Sequence, residues 1–208
     1  MLNKIRPFVL FAIIVTALVG CFVMNDAKSK DASDKRFDIA MQTVLRHEGG
    51  LSHDKNDPGG YTKYGISLRF LKDSKIDPNG DGVEDKEDII HLTQTEADKI
   101  YYNKFWIKGH YDKIGDRRVA AHLFDFGVNA GLSQSAKLSK RAINRILTTP
   151  IIVDGIMDAK TIQIINHLVP SVFLSAFNAE EEDFYLGIVK RHPQLKCFLK
   201  GWLNRIND

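Results

Sequence analysis

The sequence is poor in cysteine and has almost no surplus of charge. Cys21 and Cys197 are the only cysteines in 208 residues, which excludes a disulfide framework, and neither sits in a C-x-x-C pair of the kind that holds metals or shuttles electrons. A net charge of +3 is too small to hold nucleic acid through phosphate contacts. Also missing are the H-E-x-x-H of zinc peptidases, the G-x-S-x-G nucleophile elbow and the G-x-x-x-x-G-K phosphate cradle. Strands and helices do not alternate as a parallel sheet requires, and no repeat of about 20 to 50 residues marks a solenoid. The remaining balance, 44% hydrophobic and 26% charged, is that of a globular chain of one or two domains.

Lys4 and Arg6 precede an uncharged run from Pro7 to Met24. As a helix rising about 1.5 Å per residue, the run would reach roughly 27 Å, close to the thickness of a bilayer core. The two cations would stay on the cytoplasmic side, so the rest of the chain is expected beyond a bacterial-type inner membrane, in the periplasm. A signal anchor, a cleaved signal peptide and a lipoprotein signal all fit, the last because Leu18-Val19-Gly20-Cys21 resembles a lipobox. The expectation is an anchor. The small, polar stretch from Asn25 that follows reads as a linker.

From about Ser33 the pattern is mostly helical. Phe37, Ala40, Met41, Val44 and Leu45 recur at helical spacing until Gly49-Gly50 stops them. A segment rich in Gly, Asn, Asp and Pro follows to Gly60, then Tyr61 to Ile66 reads as turns and short strands. Helical patterning resumes at Ser67–Leu71, after a Thr93/Glu96 capping signature, and in segments near 117–128, 133–147, 160–168, 172–189 and 195–206. The expected fold is mainly α with a small β region. The expected organisation is a membrane segment and linker over 1–32, a catalytic domain over 33–130 and a small helical domain over 131–208.

Glu48 lies where the first helix meets two glycines. The negative end of the helix dipole there resists a second negative charge and raises the carboxyl pKa. A carboxyl kept protonated in this way is suited to protonating a glycosidic oxygen, and Asp57 supplies the second carboxylate that such hydrolysis commonly uses. Taken alone, a Glu before Gly-Gly is also an ordinary solvated helix end, and Asp57-Pro58-Gly59 an ordinary turn.

The string HEGGLSHDKNDPGGYTKYGIS, His47 to Ser67, closely resembles the signature of the glycoside hydrolase family 108 muramidases. The resemblance implies a lysozyme-like α+β fold and cleavage of the β-1,4 bond between N-acetylmuramic acid and N-acetylglucosamine in peptidoglycan, as in a phage endolysin that lyses cells. It also implies that Glu48 is the catalytic residue. Phage-type lysozymes have eight residues between Glu and Asp and five between Asp and Thr; here eight residues separate Glu48 from Asp57 and four separate Asp57 from Thr62. Asp57 is therefore expected to place water or stabilise the oxocarbenium-like state, and Thr62 to hold that water. Tyr61 and Tyr64 are candidates to stack on sugar rings; Trp106 and Asn129, in family-like segments, are candidates to line the cleft. A lytic transglycosylase and a non-enzymatic wall-binding module stand as alternatives.

Asp77 to Asp88 places oxygens at positions 1, 3, 5, 9 and 12 of a twelve-residue loop with Gly at 6, the pattern of a calcium loop. Asp77, Asn79, Asp81, the Val83 carbonyl, Asp85 and Asp88 are the candidate ligands. The alternative is a solvated acidic turn. Any ion would be structural, because carboxylate-catalysed sugar hydrolysis needs no metal or other cofactor. Val153 to Thr161 resembles the turn of small peptidoglycan-binding domains, with Asp158 in place of a Gly. The expected partners are peptidoglycan and the inner membrane, with no nucleic acid, for a monomer. Cys197 is expected to be buried, and Arg191, Lys196, Lys200 and Arg205 to lie on a solvated helix face.

Overall fold

The computed structural model describes residues 35–47, 52–53 and 61–206. The protein is mainly α-helical with one small antiparallel sheet. Nine α-helices occur among these residues: α1 Lys35–His47, α2 Leu68–Ser74, α3 Lys86–His91, α4 Gln94–Tyr101, α5 Arg117–Ala130, α6 Leu132–Ile146, α7 Ala159–His167, α8 Pro170–Arg191 and α9 Lys196–Ile206. Strands β1 Ser52–His53, β2 Tyr61–Lys63 and β3 Ile66–Ser67 pair in chain order, with Thr62 opposite Ser52 on one side and Ser67 on the other.

Helix α5 is the centre. Nine of its residues, Val119 to Ala130, are buried, so it reads as apolar nearly all round, the pattern of a helix enclosed by others. Asp116 caps it by accepting from the amides of Arg118 and Val119, satisfying donors that the first turn leaves open. On one side α1 inserts Phe37, whose ring meets Tyr102, Trp106 and Phe124 edge-on. On the other, Phe126 meets Phe177, Phe184 and Tyr185 of α8. One hydrophobic cluster thus runs from Phe37 to Ile206.

Polar contacts tie the same elements. Arg205 of α9 donates twice, at 2.7 Å each, to Asp125 of α5, with both side chains little exposed. His122 meets Glu181 at 2.5 Å. Lys140, only 3% exposed, reaches Asp154 and Asp158 at 2.8 Å each and holds the connection between α6 and α7. Gly155 packs so close that a Cβ there would stand 2.0 Å from the Ser133 hydroxyl.

Several expectations are corrected. The membrane-anchored location is not upheld: among the described residues no helix is long and apolar enough to cross a membrane. The longest, α8 with 22 residues, carries four consecutive acids from Glu180 to Asp183. The run Pro7–Met24, on which the anchor was read, and Cys21 lie outside the described residues. Cys197 is exposed. Arg205 is in the buried pair with Asp125, whereas Arg191, Lys196 and Lys200 are exposed as expected.

Candidate active site

Glu48 and Asp57 lie outside the described residues. The elements around them in the chain are α1, which ends at His47, and the hairpin of β2 and β3. Thr62 sits on the central strand at 8% exposure, paired on both sides. The register turns its side chain inward. Tyr61 and Tyr64 are half-buried beside it.

The hairpin tip is built from Tyr64 at φ 51° and Gly65 at φ 75°. Two successive left-handed residues make the turn whose twist suits a tight hairpin, normally an Asn-Gly sequence. A tyrosine costs about 1–2 kcal/mol in that conformation, and two contacts hold the tip in place. Tyr101 of α4 donates its hydroxyl to the Tyr64 carbonyl at 3.0 Å. Lys63 donates to the Ile90 carbonyl of α3 at 2.8 Å, and its ammonium lies 5.6 Å from the Tyr64 ring centre. Helix α4 is itself fixed by the Thr93/Glu96 capping box, in which the Thr93 amide and then its hydroxyl hold the Glu96 carboxyl below its usual pKa.

Trp106 does not line a cleft. It has no exposure and packs among Phe37, Tyr111 and Phe124. It belongs to a π-helical turn, Tyr102–Ile107, that continues α4, and the wider turn directs its ring inward. Such turns recur near functional sites, and this one directly follows Tyr101, the residue that holds the hairpin tip. On the same turn, burial lowers the Lys104 pKa, with Lys108 adding to the effect. Asn129 is half-buried and donates to the Tyr185 hydroxyl at 2.6 Å, so it links α5 to α8. Burial, and then the nearby Glu181 carboxylate, push that hydroxyl's pKa well above its ordinary value.

The acidic segment is organised by its own backbone. Asp77 accepts from the amides of Gly80 and Gly82 at 2.7 Å each, Asn79 from Asp81 and Asp81 from Val83. Asp88 is buried and accepts from Asp85 and, weakly, Asn79; Asp85 accepts in return from Glu87, and α3 starts inside the twelve-residue pattern. Among the described residues no group of three or more His, Cys, Asp or Glu side chains is placed to hold a metal ion.

In the second half, Asp154 accepts from the Ile156 amide, while Asp158 caps α7 by accepting from the amide and hydroxyl of Thr161. Lys140, together with the Thr161 amide, holds the Asp158 carboxyl down to about 2. Burial works against the Lys140 charge, but its two carboxylate partners outweigh that and raise its pKa.

A helical frame surrounds a small hairpin that holds Thr62 on its central strand. Residues 41–131 match the family described as Glycosyl hydrolase 108, and residues 137–207 match a Predicted Peptidoglycan domain. Together the two matches support a glycoside hydrolase that acts on peptidoglycan. The chain is also similar to a solved structure of Brucella abortus SagA, at 26% sequence identity and a TM-score of 0.65, over 82% of this chain and 89% of that one. No functionally curated protein matches it.

Proposed function

We propose that this protein is an N-acetylmuramidase that hydrolyses the β-1,4 bond between N-acetylmuramic acid and N-acetylglucosamine, and that this cleavage lyses bacterial cells. Glu48 is the general acid. The observation that carries this reading is that residues 41–131, which include both Glu48 and Asp57, match the Glycosyl hydrolase 108 family. In the sequence Glu48 precedes Gly49-Gly50, a helix-stop signal, and the negative end of a helix dipole at such a stop favours the protonated carboxyl needed for donation to the leaving oxygen.

Asp57 places the attacking water or stabilises positive charge on the sugar ring, and Thr62 helps to hold that water. The inward register of Thr62, on the strand that follows Asp57 by a few residues, supports its role. Tyr61 and Tyr64 offer ring faces to the glycan.

The test is Glu48→Gln. The variant should keep the circular dichroism and Tm of the parent and fail to clear a peptidoglycan suspension. Undiminished clearing by a folded variant would overturn the assignment.

A further inference from the structure

Beyond the hairpin, α6 and α8 form a surface groove of about 480 Å³. Its floor is Ala176 and Ala179, half-buried, while Ser171, Val172 and Ser175 are exposed along its rim. Alanines at these two positions, one helical turn apart, leave room that longer side chains would fill. Val169 at 61% exposure and Val172 at 48% extend the apolar surface outward.

Arg145 also lines the groove. It donates through Nε to Glu180, which is 9% exposed, and through Nη2 to Asp183 at 2.6 Å, which is 64% exposed. Guanidinium has five N–H donors in a planar fork, so donors remain for a further oxygen. The two acids are not equivalent. Glu180 is fixed by burial, whereas Asp183 holds Arg145 from the solvent side, where it can swing into water and leave its place on the guanidinium to another carboxylate.

No aromatic ring is among the residues lining this groove, so it lacks the flat apolar face on which a sugar stacks. A floor of alanines, seryl hydroxyls and a guanidinium fork suit a short alanine-containing peptide that ends in a carboxylate. The groove lies wholly within residues 137–207, the region matching the peptidoglycan domain. We propose that it binds the stem peptide of peptidoglycan, with the terminal alanyl carboxylate displacing Asp183 from Arg145 and the alanyl methyl groups resting over Ala176 and Ala179. This rests on the reading that the protein works on the wall, and it separates the place where peptide is gripped from the place where glycan is cut.

The test titrates the full chain, by calorimetry and by amide NMR, with synthetic L-Ala-γ-D-Glu-meso-diaminopimelyl-D-Ala-D-Ala and separately with chitotetraose. The pentapeptide should bind saturably and shift amides around Arg145, Val172 and Ala176, which chitotetraose should leave unmoved. Ala176→Trp, filling the floor, should weaken the peptide by about tenfold or more. Asp183→Asn removes the exposed competitor for Arg145 and should tighten binding about threefold, within the range of an exposed ion pair. Each variant's Tm is measured alongside. No peptide binding, unchanged affinity in a folded Ala176→Trp, weaker binding in Asp183→Asn, or chitotetraose occupying the groove would each overturn the proposal. Wall cleavage by the parent, assayed in parallel, keeps the two readings apart: cleavage without peptide binding removes only the groove.

Discussion

Replacing Gly127 by alanine probes the packing at the centre of the molecule. A Cβ there would stand 2.2 Å from the Tyr111 hydroxyl oxygen and 3.1 Å from Cζ of the same ring. The ring has nowhere to go, because Tyr111 is 1% exposed and lies against Trp106 and Phe124 at 6.3 and 6.2 Å between ring centres. Overpacking of this kind costs about 1–3 kcal/mol, while Gly→Ala in a helix returns about 1 kcal/mol. A contact of 2.2 Å against an immobile ring belongs in the upper part of the overpacking range, about 2–3 kcal/mol, so the expected net loss is about 1–2 kcal/mol and Tm falls by roughly 2–8 °C in a chain of this size. Tyr111→Phe removes the clashing atom. That hydroxyl is buried with no hydrogen-bond partner of good geometry, so Tyr111→Phe alone should be neutral or stabilising by about 1 kcal/mol. The double variant should recover most of the loss. Urea unfolding of the four proteins gives the cycle. Parent-like stability of Gly127→Ala, or a double variant no better than that single one, would refute the steric argument.

Three further outcomes follow from the same contacts. Arg205→Ala strands a buried Asp125 carboxylate and should cost about 3–5 kcal/mol, most of it recovered when both are replaced by Leu and Met; a single variant within about 0.5 kcal/mol of the parent in urea would contradict this. The Asp158 carboxyl is depressed from 3.8 to about 2, so its tie to Lys140 is fully present above about pH 4 and is lost as pH falls toward 2. Amide exchange in the segment between α6 and α7 should rise over that window, and Asp158→Asn should flatten the rise; an identical pH profile in the variant would count against the tie. Finally, hydrolysis by carboxylates needs no metal, so EDTA should leave the rate of wall clearing unchanged; loss of clearing that calcium restores would contradict it.

Local signals in the sequence were legible where the chain satisfies itself. Thr93 and Glu96 form the capping box that their spacing implies, and Ser67 caps α2 at the resumption of helical pattern. The apolar periodicity from Arg117 onward marks α5, which ends at Ala130. Helix α3 was hidden because its capping box is Asp85 with Asp88, and those acids were already read as ion ligands. Trp106 was misplaced because a family-like segment does not fix which way an aromatic faces once a π-turn shifts the register by a residue. The pairing of Asp125 with Arg205 joins residues 80 apart. No local pattern distinguishes such an arginine from a solvated one until α9 is laid on α5. The groove beside Arg145 was invisible for the same reason, since its floor comes from small residues on a different helix.

The most direct measurement is mass spectrometry of the soluble fragments released when the purified chain digests peptidoglycan. Hydrolysis at the muramyl bond predicts fragments with N-acetylmuramic acid at the reducing end, each heavier by one water than an anhydro sugar. Fragments ending in 1,6-anhydro-muramic acid, or in reducing N-acetylglucosamine, would contradict the account.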